Sequence, residues 1–72
     1  MKIVELNKQP TELHKILKFE GLVDSGGTAK SVIAEGLVNV NGKVETQKRK
    51  KIMHGDIIEF NGESFQTQVI DV

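Results

Sequence analysis

SGGTAKSVIAEGLVNVNGKVETQKRKK (residues 25–51) is the stretch on which the reading of this chain turns. It opens with a glycine-rich helix entry, Ser25-Gly26-Gly27, with Lys30 one turn later, and Gly36 supplies a helix stop. A valine strand and an Asn41-Gly42 turn follow, and then the basic run Lys48-Arg49-Lys50-Lys51. Two different anion-binding devices are thus separated by one short hairpin. That combination points to a phosphate backbone as the partner.

Working outward, the N-terminal side contains one more helix and a strand. Lys2-Ile3-Val4-Glu5-Leu6 alternates as a short edge strand does. Pro10 breaks the chain, and Thr11 is expected to cap a first helix running to Glu20. Leu13, Ile16 and Leu17 form its apolar stripe, with Phe19 on the flank and Lys15 and Lys18 opposite. Gly21 stops it. Either Asp24 or Ser25 can cap the second helix, whose buried stripe is Ala29, Val32 and Ile33. Both helices are short, so packing must hold them.

The C-terminal side reads as hairpins. Ile57 to Phe60 and Phe65 to Val69 flank Asn61-Gly62, a strong type I′ signal that sets Ile58 opposite Phe65. Glu59, Ser64, Gln66 and Gln68 then share the wet face. At Asn41-Gly42 a two-residue loop pairs Val40 with Lys43 and sends Val44 to the opposite face, unless a bulge or a longer loop intervenes. Asn41 suits a left-handed turn position. The expected fold class is α+β: a helix–loop–helix packed on a small antiparallel sheet, in one domain over residues 1–72.

Composition narrows the function. With 72 residues the chain is near the lower size for folding without staples. It has no cysteine, which excludes disulfides and thiolate metal sites and fits a reducing cytoplasm. No apolar run reaches the roughly 20 residues that span a bilayer, so no membrane partner is expected. The alternating, acid-bearing start does not read as a signal peptide. Net charge is zero, so any nucleic-acid site must arise from charge distribution. Between Lys43 and Lys51 five bases face only Glu45, while acids collect in the C-terminal strands.

Each candidate has a plain structural alternative. At Ser25-Gly26-Gly27, open helix N-terminal amides favour an anion, and Lys30 leans back over Gly26. The alternative is that Ser25 only caps and the glycines only bend. The basic run is either a solvated surface or a set of cations fanned over a groove. Arg49 is the best single choice, since guanidinium grips phosphate in a bidentate fork. Lys43 extends this patch, and Lys18 is a better contact than Lys15. Glu20 falls within the apolar stripe at the end of the first helix, where its charge opposes the dipole. It either escapes to solvent or holds a basic side chain. His14 and His54 lack metal-ligand spacing and read as surface residues. No carboxylate pair or serine–base pair suggests catalysis, and no cofactor or metal is expected. With Phe19, Phe60 and Phe65 as the only aromatics, and two of them expected inside, stacking is not expected to dominate.

The ordered set Leu13-x-x-Ile16-Leu17, Val23-x-Ser25, Ala29-Lys30, Ile33-x-x-Gly36, Val38-x-Val40-Asn41-Gly42 and Gly55-Asp56-x-Ile58 resembles the S4 RNA-binding domain, in its small standalone YbcJ-like form. The resemblance runs from Leu13 to Phe60, about two-thirds of the chain. It implies an αL motif, that is, a helix–loop–helix on a bent antiparallel sheet. The core motif would span about 11–60, with 2–6 as an extra N-terminal strand and 63–70 as a C-terminal strand. It also implies a non-catalytic, ribosome-associated module that binds structured, ribosomal RNA. Contacts would come from Lys18, Ser25, Gly26, Gly27, Lys30, Lys43, Lys48, Arg49, Lys50 and Lys51. Glu12 and Gly26 stand where the family often carries arginine, which removes charge from the usual surface. A monomer is expected. The competing reading is a protein–protein adapter docking on a ribosomal protein or an RNA-processing enzyme through an exposed apolar patch around Phe19; a DNA-binding helix pair is disfavoured by the thin reading surface of Lys30 and Ser31.

Overall fold

The computed structural model describes residues 1–70. Strand β1 (Lys2–Leu6) leads to β2 (Thr11–Glu12), helix α1 (Leu13–Phe19) and helix α2 (Gly26–Ala34). Strands β3 (Val38–Val40), β4 (Lys43–Val44), β5 (Lys51–Ile52), β6 (Ile57–Phe60) and β7 (Glu63–Val69) follow. The main sheet has the order β1-β7-β6-β3-β4, and β2 pairs with β5 in a separate ribbon.

The turns form where local chemistry demands them. Asn61 and Gly62 take φ of 54° and 79°, closing β6 onto β7 with Ile58 opposite Phe65, as expected. Asn41 and Gly42 take 53° and 83° in the same kind of two-residue turn, and Val40 pairs directly with Lys43. No bulge intervenes. Val44 is consequently turned out and exposed, which a strand of two residues tolerates. The helices end in the glycine motif foreseen for them. Gly21 and Gly36 have positive φ, and the amides of Leu22 and Leu37 donate to the carbonyls of Leu17 and Val32, six residues spanned in each case.

Two expectations need correction. Thr11 does not cap α1: it is a buried strand residue opposite Ile52, and its hydroxyl donates to the Lys8 carbonyl. The cap position is Glu12, whose side chain makes no capping bond. The sheet is also not purely antiparallel. Strand β1 runs parallel to β7, Val4 beside Thr67, although the β7-β6-β3-β4 portion is antiparallel throughout.

The core lies between the helix pair and one face of the sheet. Leu13, Ile16, Leu17, Ala29 and Ile33 meet Val4, Leu6, Val38, Val40, Ile58 and Phe65, with Ile52 filling the side. Buried Thr67 is satisfied through its hydroxyl, 2.7 Å from the Met53 carbonyl. The other sheet face stays open. By register it presents Ile3, Glu5, Gln66, Gln68, Ser64, Ile57, Glu59, Asn39 and Val44, with no lysine or arginine among them.

Candidate functional site

The basic run owes its position to α1. A helix begins with amides that have no partner within it, and α1 has no side-chain cap to answer them. The loop supplies them instead. The Leu13 amide donates to the Lys50 carbonyl at 2.9 Å, and the His14 amide to the Lys48 carbonyl at 3.1 Å. A Lys50 amide to Gln47 carbonyl bond tightens the loop, and the Glu45 carboxylate accepts from the Gln47 amide. The Lys48 and Lys50 carbonyls are therefore spent on capping α1. The side chains of Lys48, Arg49 and Lys51 remain exposed, and Lys50 is half-buried.

The entry of α2 is built differently. Ser25 is the cap: its Oγ accepts from the Thr28 amide at 3.1 Å. The amides of Gly26 and Gly27 have no partner among the described residues. A Cβ placed on Gly26 would meet nothing within 4 Å, so a ligand atom can approach this backbone. One feature tempers its positive field. Asp24 accepts from the Thr28 hydroxyl at 2.9 Å, which brings a carboxylate to the same turn.

A groove of about 730 Å³ joins this entry to α1. Gly26 and Lys30 line one side, and Lys15, Lys18, Phe19 and Glu20 line the α1 side. The β1–β2 connection closes it with Asn7 and Lys8. Thus α1, about 10 Å long by its seven residues, has the basic loop at its N-terminal end and the groove along its flank. Lys43, by contrast, lies at the Asn41-Gly42 turn on edge strand β4 and does not line the groove.

Most of these cations form no ion pair among the described residues, although Glu20 lines the groove with Lys18 and Lys30. Among the described residues, none of Lys18, Lys30, Lys43, Lys48, Arg49, Lys50 and Lys51 forms a salt bridge. Lys15 does, with Glu12 at 3.5 Å. The same carboxylate lies 3.1 Å from His14 Nε2; that hydrogen bond, aided by Lys15, holds the Glu12 carboxyl below its ordinary range. Glu20 escapes to solvent as the residue after α1, with no ionic partner among the described residues.

Other candidates turn out to be structural or different in kind. His14 is not a surface residue, since its side chain is only 12% exposed. His54 is exposed, and its Nδ1 accepts from the Val69 amide. Asn41 does more than adopt a left-handed backbone: it accepts from the Ile57 amide and donates to Asp56, which in turn accepts from the Met53 amide. That clasp gives the Asn41-Gly42 and Gly55-Asp56 pairs a shared structural role. Sequence reasoning overlooked Lys8. Only the return of the β1–β2 connection over α1 brings it to the groove, and no local pattern announces that. Of the phenylalanines, Phe65 is buried, Phe60 is half-buried and Phe19 is 72% exposed.

Known proteins resemble this chain in sequence and fold. "Putative RNA-binding protein YbcJ" of Escherichia coli (strain K12) is 49% identical over 67 residues, covering 92% of this chain and 96% of that protein. The "Probable ribosome maturation protein RlbA" of Bacillus subtilis (strain 168) is 31% identical over 59 residues, 82% of this chain and 83% of that protein. The solution structure of E. coli YbcJ, described as revealing an αL motif involved in RNA binding, superposes with a TM-score of 0.73 at 47% identity, covering 96% and 89% of the two chains. The crystal structure of 30S ribosomal protein S4e from Thermoplasma acidophilum matches with a TM-score of 0.62 at 31% identity over 85% of this chain and 32% of that one. The model of the S4 domain family matches residues 4–68. By sequence and by fold, the chain belongs to the S4 domain family.

Proposed function

We propose that this protein is a non-catalytic RNA-binding module that docks on structured, ribosomal RNA. The observation that carries this reading is charge sorting. Among the described residues, a chain of zero net charge keeps lysine and arginine off the open face of its sheet and leaves a series of cations around α1 without ion-pair partners. Phosphates would be held by Lys48, Arg49, Lys50 and Lys51 at one end of α1, and by Lys18, Lys30 and the Ser25-Gly26-Gly27 entry along its flank. Arg49 offers the forked contact, and Lys43 extends the surface toward the β3–β4 turn. Because Asp24 shares the α2 entry, the basic loop is the stronger of the two devices.

The relatives support the class of ligand. YbcJ's αL motif is described as involved in RNA binding, and S4e and RlbA are named for the ribosome and its maturation. A shape- and phosphate-reading mode suits a folded RNA whose grooves present backbone more readily than base edges. Ultraviolet crosslinking in lysate, with sequencing of the captured RNA and mapping of the modified residues, tests this. Ribosomal RNA joined at Lys30 and in the Lys48–Lys51 loop is expected. Recovery of no RNA would remove the reading in favour of a protein adapter, for which the exposed Phe19 is the favouring observation.

A further inference from the structure

The groove beside α1 contains more than phosphate contacts require. A residue that only packs would be covered, and one that only solubilises would be polar; Phe19 is neither, standing 72% exposed on the lip of a cleft that mixes apolar and charged lining. At about 730 Å³ the cleft falls in the range of roughly 300–1,000 Å³ usual for small-ligand sites. Its walls mix two kinds of charge. Lys18 and Lys30 are free of acid partners among the described residues, while Glu20 also lines it. A carboxylate at that position repels a phosphate but can accept from the amino edge of a base.

Resting on the RNA-binding reading above, we propose that this groove receives one unpaired, amino-bearing base extruded from the bound RNA, stacked on Phe19, with its flanking phosphates on Lys18 and Lys30. Unpaired bases in bulges and loops are the parts of a folded RNA that can be splayed out onto an aromatic ring. Phosphate contacts at the basic loop then give affinity for any duplex, and the groove selects a duplex carrying a bulge. A ribosomal RNA, being full of irregular helices, would be distinguished from uniform duplex in this way.

The test compares two hairpin RNAs, one fully paired and one with a single bulged adenine, against the full chain. The wild type is expected to prefer the bulged RNA. Phe19→Ala should lose on the order of ten-fold in affinity for that RNA, the worth of one stacked base, and nothing for the paired one. Because Phe19 is outside the core, the variant keeps its fold, which circular dichroism checks. Phe19→Trp should retain the preference. The chain has no tryptophan of its own, so quenching of that indole by bulged but not paired RNA reports the stack directly. Equal losses on both RNAs, or none on either, would overturn the groove assignment while leaving RNA binding in place. So would a Phe19→Ala variant that binds both RNAs normally but no longer retains a ribosomal protein. Failure of the wild type to bind either RNA would overturn the RNA-binding reading, and the groove assignment with it.

Discussion

Replacing Arg49 and Lys51 together by alanine should change the salt dependence of RNA binding by an amount that can be calculated. Both side chains are exposed, and neither has an acid partner among the described residues. The carbonyls that cap α1 belong to Lys48 and Lys50, so the substitutions leave those bonds intact. Surface changes of this kind shift stability by no more than about 0.5 kcal/mol. Taking Lys18, Lys30, Arg49 and Lys51 as about four phosphate contacts, each releasing about 0.9 counterion, gives a log–log slope between −3 and −4. Raising salt from about 50 to about 200 mM should then weaken wild-type binding by about 150-fold. With about two contacts left, the double variant should lose only about 12-fold over the same range. Fluorescence anisotropy with a labelled hairpin RNA, titrated at four or five salt concentrations, measures both slopes. If the variant is weaker but its slope is unchanged, the two side chains do not neutralise phosphates. If affinity and slope both stay put, the basic loop is not part of the interface.

The Asn41 clasp gives a stability prediction with no functional component. Asn41→Ala removes two side-chain hydrogen bonds and puts a less tolerant residue at φ 53°; a loss of about 2 kcal/mol is expected. For a domain whose total stability is between about 4 and 11 kcal/mol, urea denaturation would show this plainly. RNA affinity of the folded fraction should not move. Glu12 gives a pH prediction. Its carboxyl is held low in the folded state, so its contribution is complete above the unfolded-state pKa of roughly 4.3 and is lost as pH falls through the folded value. Glu12→Gln should therefore flatten the acid limb of a stability-versus-pH curve; a variant limb as steep as the wild type's would assign the acid sensitivity elsewhere.

Much of the molecule could be read from short-range chemistry. Ser25 caps α2, Gly21 and Gly36 end the helices, and both Asn-Gly pairs close two-residue turns, because each of these interactions lies within about five residues of chain. The apolar stripes of α1 and α2 and the Ile58–Phe65 pairing were legible for the same reason: a helix or hairpin repeats its geometry. So was the basic run as a cluster, since it is contiguous. What tertiary structure decided lies farther apart along the chain. Thr11, a reasonable cap by its neighbours, is drawn into a ribbon with Ile52, 41 residues away, and the amides it might have served are answered by the Lys48 and Lys50 carbonyls. The parallel seating of β1 on β7 and the arrival of Lys8 beside Lys18 and Lys30 likewise follow from packing. Sequence by itself determined the two helices, the edge strand β1, both Asn-Gly hairpins and where cations would be dense, but not the β2–β5 ribbon. Only the fold decided which cations escape the acids and that Phe19 stands beside them, because charge pairing and exposure depend on neighbours that the chain brings together through its core.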